Sequence, residues 1–378
     1  MKKTLIAVAA AAALVSSAFA EVTFGGWGRQ IWAPVANNGD DTVTAMLTSW
    51  GWNPRIGYGM DFKSENVDMH ADFKLEEGTA AINDQCKATY RPVEGVALSI
   101  GKIQDDTLRG DACFGSWNWI RPNWISDEGI TFSRTVDVTG VSAKITAVEN
   151  LVVLAGLNVP ADATGDAKAK LAENAYKNVA IGAGYTIDGI GQVKAQYFGT
   201  SEKGKSGKVE AAFKLTAVEN LSAEVGFKMS MADDDWDATF TNCLTTKTIA
   251  LGAHYQVNDV CGVSANAEMS LYPDLEVAGV KVSVDPTIKF GLGVDYALDN
   301  GIGLAADVRV NMPQNEVDPS IAFMLGASKG FSNGKLSVGF QGVSVAEDSG
   351  AGFAGNGSFD PAKDGLVWAL PVCFEYWF

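Results

Sequence analysis

The chain ends in Trp368-Ala369-Leu370-Pro371-Val372-Cys373-Phe374-Glu375-Tyr376-Trp377-Phe378, a stretch that alternates in character from one residue to the next. Every second residue counted back from the last one is apolar or aromatic, whereas the other positions include an acid, a cysteine and a proline. Side chains point to opposite faces along a β-strand, so the pattern predicts a strand with one apolar and one mixed face. Pro371 cannot donate to a sheet ladder, and we expect a bulge there.

The same alternation continues through the rest of the chain. It is clearest in Val67-Asp68-Met69-His70-Ala71-Asp72-Phe73-Lys74-Leu75-Glu76, where odd positions are apolar and even positions are polar or ionisable. A sandwich with this many strands would need a large apolar core, but here the second face stays polar in strand after strand. Short turn sequences separate the alternating runs, at Glu65-Asn66, Glu94-Gly95, Glu149-Asn150, Asp188-Gly189, Glu219-Asn220, Asn258-Asp259, Asp299-Asn300 and Asn333-Gly334.

The turns set the number of strands. Eight tight turns joining up–down pairs, with longer connections between the pairs, predict 18 strands. The run from Gly129 to Val148 is too long for one ordinary strand, so 16 strands remain an alternative.

The C-terminal strand resembles the closing strand of bacterial outer-membrane β-barrels of the porin-like family. The residues that carry the resemblance are Phe374, Tyr376 and Phe378. It implies an all-β, transmembrane, antiparallel up-and-down barrel with short periplasmic turns and long outer loops, embedded in membrane lipid. It also implies that these three aromatic residues form the signal read by the barrel assembly machinery, and that the barrels associate as homotrimers.

The N-terminus has the features of an export signal. Lys2 and Lys3 precede an apolar run, and small residues at Ala18 and Ala20 form a cleavage site. We expect residues 1–20 to be removed after Sec-type export, leaving 21–378 as a single barrel domain in the outer membrane of a bacterium. The first strand would begin at about Val22, which leaves no room for an N-terminal plug.

Composition excludes several functional classes. The formal net charge is −16, and −18 without the two lysines of the signal, which argues against nucleic acid as a partner. No common catalytic motif occurs in the sequence, and its two histidines, His70 and His254, both lie at lumen-facing positions of strands, so we expect neither an enzyme nor a cofactor. The five cysteines permit no unique disulfide pairing; they are Cys86, Cys113, Cys243, Cys261 and Cys373.

A long insertion follows the fifth strand, at about Asp105 to Glu128. In general porins the loop at this place folds into the channel, and the resemblance by topology implies the same here. The predicted constriction residues are Asp105, Asp106, Arg109, Asp111, Trp117, Trp119, Arg121 and Trp124. The facing wall should hold Arg29, His70, Asp72 and Lys87, although the first strand leaves the direction of Arg29 ambiguous. The alternative is that this loop lies outside the barrel.

The sequence therefore favours a passive channel for small hydrophilic solutes. Acidic loops predict a modest preference for cations, because negative charge concentrates them at the mouth. One alternative is a structural or adhesive barrel with a blocked lumen, and another is a transporter of hydrophobic substrates. We expect no metal site, with a weak Ca²⁺ candidate at Asp233, Asp235 and Asp237 that lacks the spacing and glycine of a calcium loop.

Overall fold

A computed structural model gives the fold, and its wall is built from long antiparallel strands. It describes residues 21–37, 42–46, 55–76, 79–110, 130–159, 178–199, 205–232, 246–277, 280–312, 319–345 and 365–378. The strands are β1 Glu21–Asn37, β2 Thr42–Met46, β3 Arg55–Lys63, β4 Val67–Glu76, β5 Thr79–Val93, β6 Val96–Asp105, β7 Val136–Ile145, β8 Leu151–Asn158, β9 Val179–Ile187, β10 Gly191–Phe198, β11 Lys205–Leu215, β12 Leu221–Ala232, β13 Lys247–Asn258, β14 Cys261–Leu271, β15 Leu275–Val277, β16 Val280–Val282, β17 Thr287–Ala297, β18 Ile302–Met312, β19 Ser320–Phe331, β20 Gly334–Val345, β21 Gly365–Ala369 and β22 Val372–Trp377.

These segments form one closed barrel of 18 wall strands, which confirms the predicted number. β2 and β3 follow each other along one edge of β1, and β21 and β22 share its other edge, so each of these pairs is one wall strand. β15 and β16 pair only with each other, as a small hairpin between β14 and β17. The alternative of 16 strands arose from the run 129–148, in which only Val136–Ile145 is strand.

All eight predicted tight turns join neighbouring strands. Positive backbone φ angles occur in several of them, as at Asn150 (64°), Asn220 (62°) and Gly95 (75°). Such angles suit asparagine and glycine, which explains why these residue types mark the turns.

The outer face is apolar over its whole circumference. Its exposed side chains include Phe24, Ile100 and Leu325, each more than 60 % exposed, and Tyr185, Tyr255 and Tyr296 lie outward near the tight turns. Exposed apolar side chains on a closed barrel belong in lipid, with tyrosines at the level of the head groups. Among the described residues, no helix is long and apolar enough to cross a membrane.

The barrel closes where the first strand meets the last. Gly26 and Phe378 exchange two backbone hydrogen bonds of 2.9 Å, and the rings of Phe378 and Tyr376 lie directly over Gly26 and Gly28. Phe374 faces outward as expected and stacks on Phe331, with ring centroids 5.5 Å apart. The predicted bulge at Pro371 is wrong in detail, because the proline interrupts the strand and leaves its register with β20 unshifted. The register shift lies in β1, between Ala33 and Ala36.

Candidate functional site

The inner face of the barrel carries ionised side chains on most of the wall strands. On the early strands, His70 lies between two carboxylates, with Nδ1 2.8 Å from Asp61 and Nε2 3.0 Å from Asp72. Glu76 accepts from Arg55 and from Lys74, each at 2.7 Å. Acids and bases therefore alternate on this part of the wall. An inner face lined in this way is suited to contact with water, as the sequence alternation predicts.

The four predicted wall residues all face the interior. Arg29 resolves the ambiguous direction of β1: it is almost fully buried, and its guanidinium lies 5.8 Å from the centre of the Trp27 ring. His70 and Asp72 contact each other, and Lys87 binds Gln85 and interacts electrostatically with both Asp72 and Asp105. The structure thus brings three of the four into one cluster, while Arg29 lies near Arg55 and Glu76.

An apolar patch interrupts the polar inner wall. Ile103 on β6, Val136 and Val138 on β7, Leu154 on β8 and Ala212 on β11 point inward and are buried; we call these five residues the apolar seat. Water would wet such a patch at a cost of about 25 cal/mol for each Å² of apolar surface. The seat is instead covered by Leu108 and Phe132, which are both 0 % exposed.

Leu108 and Phe132 belong to the two ends of the long connection between β6 and β7. We call residues 106–110 and 130–135 the loop base. The two segments run side by side, and the amide of Gly110 donates to the carbonyl of Phe132 at 2.8 Å. The loop base therefore lies inside the barrel, against the wall, rather than outside it.

Polar side chains of the loop base bind the wall of β10 to β12. Ser133 donates twice to Glu210, from its amide and its hydroxyl, each at 2.7 Å. Thr135 donates to Gln196 at 2.6 Å. Thr131 donates to Glu224.

The wall groups on the other side of these bonds are themselves paired. Lys194 and Glu224 form an ion pair of 2.5 Å, with side chains only 1 % and 3 % exposed. Lys208 lies 2.6 Å from Glu210. Removing one partner of a buried ion pair of this kind destabilises the folded protein, because the remaining charge stays desolvated without a counter-charge.

Glycines on the inner wall make room for the loop base. A Cβ added at Gly226 would lie 1.8 Å from the carbonyl oxygen of Thr131, and one at Gly184 would lie 2.5 Å from Leu108. A Cβ added at Gly182 would lie 2.8 Å from the side chain of Thr135. These inward positions lack side chains where the loop base touches the wall, so the wall and the loop base are complementary in shape as well as in charge.

A second ionic cluster holds the exposed side of the loop base. Arg134 donates to Asp106 at 2.6 Å and to Asp137 at 3.2 Å, and Arg109 donates to Asp106 at 3.3 Å. Partial burial alone would raise the pKa of Asp106, but the hydrogen bond and the charge of Arg134 outweigh burial and hold that pKa below its ordinary value. Asp105, at the end of β6, pairs with Lys144 at 3.3 Å.

Of the predicted constriction residues, Asp106 and Arg109 lie in the loop base, and Asp105 lies beside it at the end of β6. The other five, Asp111, Trp117, Trp119, Arg121 and Trp124, lie outside the described residues. So do the weak calcium candidates Asp233, Asp235 and Asp237, and the cysteines Cys113 and Cys243. In the described part of the chain, Cys86, Cys261 and Cys373 are free thiols, and no group of three or more potential metal ligands occurs.

The contacts that hold the loop base were not predicted from the sequence. The expected loop ended at Glu128, whereas the described residues 130–135 precede β7 and include the residues that bind the wall. One signal in the sequence could have indicated them: Ile103, Val136 and Val138 are apolar at inward positions of two adjacent strands. Apolar residues at neighbouring inward positions indicate that another segment of the chain covers this part of the wall.

Comparisons with known proteins agree with the barrel. No protein-family model matches the sequence, and no curated protein is significantly similar to it. Among solved structures, the chain is similar to OccK3 (OpdO) of Pseudomonas aeruginosa, with 10 % identity, a TM-score of 0.57 and coverage of 95 % of this chain and 96 % of that one. It is also similar to an anion-selective porin of Comamonas acidovorans, with 12 % identity, a TM-score of 0.54 and coverage of 95 % and 100 %.

These findings define the class of the protein. Identities near 10 % show the fold alone, and that fold is the outer-membrane barrel of porins and related channels. The closed wall, apolar outside and ionised inside, places the chain in an outer membrane.

Proposed function

We propose that the protein is a passive channel for small hydrophilic solutes. The observation that carries this proposal is a closed 18-strand wall with ionised side chains facing inward on strand after strand. Barrels of 16 to 18 strands leave an aqueous channel, whereas barrels of about 8 strands are filled by their own side chains. We include in the proposal that the chain has no enzymatic activity and that it assembles as a homotrimer.

We further propose that the connection after β6 narrows this channel. Its described ends, the loop base, both lie on the inner wall, so the segment between them starts and finishes inside the barrel. Asp105, Asp106 and Arg109 would line the narrow part together with Asp111, Trp117, Trp119, Arg121 and Trp124. Selectivity in such a channel follows from the charges and size of the constriction.

A modest cation preference is the third part of the proposal. After residue 20, the segments outside the described ranges contain 20 acidic and 6 basic residues, and they connect strand ends away from the tight turns. Most of the net negative charge thus belongs to connections on one side of the barrel. That mouth would concentrate cations, and salt would screen the effect.

The test is single-channel recording of the refolded chain from Glu21 onward in a planar bilayer. We expect stable steps on the order of nanosiemens and a cation-selective reversal potential that shrinks at high salt. An anion-selective reversal potential would overturn the charge argument alone. A folded barrel without any conductance would overturn the channel and favour a structural or adhesive barrel with a blocked lumen.

A further inference from the structure

A cavity of about 260 Å³ lies in the inner wall near the tight turns, formed by β13, β14 and β17 to β20. Its floor consists of inward positions with little or no side chain: Gly303, Ala305 and Gly326, on β18 and β19. Longer polar side chains surround this floor on both sides. This volume is enough for one small solute.

The two sides of the cavity differ in charge. On the β13–β17 side stand Asp295 and the turn residue Asp259, together with His254. On the β20 side stand Lys335 and Ser337. An ammonium group would be stabilised at the first side and a carboxylate at the second, because charge-assisted hydrogen bonds are about twice as strong as neutral ones.

Contacts within the wall fix two of these polar groups, His254 and Lys335, in place. His254 Nδ1 lies 2.8 Å from the hydroxyl of Ser264, which is almost fully buried, and the imidazole lies over Gly262, where a Cβ would be 2.8 Å away. Lys335 lies 3.1 Å from Glu375 of the last strand. Groups held in this way lose little freedom when a solute binds, which favours affinity.

We infer that this cavity is a binding site for small zwitterionic solutes that carry an ammonium group at one end and a carboxylate at the other. The inference rests on the proposed channel in one respect, that the lumen is open to solutes beside the tight turns, because a solute reaches the cavity only from inside the barrel. The site would raise the local concentration of such solutes in the channel beside the tight turns. Neutral solutes of similar size would gain the hydroxyl and amide contacts but not the two charged ones.

The experiment measures binding in detergent micelles, so that it does not depend on conduction. The probe is glycylglycine, titrated calorimetrically into the refolded barrel, with neutral N-acetylglycinamide and glucose as comparison solutes. We expect glycylglycine to bind at least tenfold more tightly than either neutral solute. Equal binding of the neutral solutes, or no glycylglycine binding to a folded barrel, would overturn the inference.

Two adjacent alanines give a matched pair of variants. Ala305→Leu fills the floor of the cavity, whereas Ala306→Leu makes the same change on the outer face of the same strand. We expect the first to abolish glycylglycine binding and the second to leave it intact. Binding that survives in Ala305→Leu would refute the location.

The charged groups provide a second test of the ligand class. Asp295→Asn and Lys335→Gln should each weaken glycylglycine binding about tenfold while leaving glucose unaffected, and Lys335→Arg should restore most of it. Glycylglycine binding unchanged in both neutral variants would overturn the assignment. If the wild-type barrel binds glycylglycine but does not conduct, the channel proposal fails and the site remains.

Discussion

Removing the two side chains that cover the apolar seat should release the loop base from the wall. Leu108 and Phe132 are fully buried, and their truncation to alanine costs about 2–5 and 3–5 kcal/mol in protein interiors. The two side chains contact the same cluster, so the two costs are not strictly additive. A combined loss of about 5–10 kcal/mol of stabilising free energy would still be comparable to the free energy of unfolding of a whole domain. We therefore expect L108A/F132A to fold as a barrel whose loop base is detached from the seat.

Single-channel recording would show this detachment as a larger and noisier conductance. The barrel itself should persist, because its 18 strands close through backbone hydrogen bonds that do not involve the loop base; the heat-dependent gel shift of folded barrels checks this point. Phe227→Ala is the matched control, since Phe227 lies on the outer face of β12 and is 38 % exposed. Unchanged conductance in a folded double variant would refute the role of the apolar seat.

The remaining predictions concern the polar and steric contacts of the loop base. Gly226→Val should displace the loop base and expose its arginines to trypsin, whereas Gly330→Val, with open space around it, should not; equal protection in both variants would contradict the steric argument. The pKa of Asp106 is lowered, so its ion pairs hold the loop base at any pH above about 4 and fail only as the pH falls through that lowered value. In the wild-type barrel, conductance noise should therefore rise only below about pH 4, whereas in Asp106→Asn it should already be present at neutral pH. A rise in wild-type noise between pH 5 and 8 would contradict this assignment. Glu224→Gln should lower the unfolding midpoint, at a cost of about 3–5 kcal/mol, because it leaves the Lys194 ammonium buried without its partner, and the added change Lys194→Met should recover much of the loss.

The fold could be predicted because a membrane barrel repeats one simple pattern. Strand residues alternate between lipid and water, as in Val67–Glu76, and the turn residues with positive φ, such as Asn150 and Asn220, mark where each pair of strands reverses. Both signals are local, so the sequence alone predicts 18 strands, with 16 as the alternative, and the side of most strand residues. Arg29, whose direction the sequence left ambiguous, lies in β1. The register of β1 shifts between Ala33 and Ala36, near the proline of that strand, and such a shift is set by the neighbouring strands.

The candidate site was predictable only in outline. The position of the long connection after the fifth strand follows from the order of the turns, but the pairing of Ser133 with Glu210 joins residues 77 positions apart. Nothing in the local sequence indicates that partner, because it depends on how far round the barrel the loop base reaches. The apolar residues at inward positions of β6 and β7 were visible, but what covers them was not.

The sequence by itself therefore determined the architecture: strands, turns, the lipid and lumen faces and the closing aromatic strand all follow from spacing along the chain. The tertiary structure alone decided what lies inside the lumen. Closure brings strands that are distant in sequence onto one concave surface, and it is there that glycines such as Gly226 admit the loop base and that a cavity with opposite charges on its two sides forms. The alternation that encodes a barrel requires only that inward residues tolerate water, so it leaves their mutual arrangement to the folded wall.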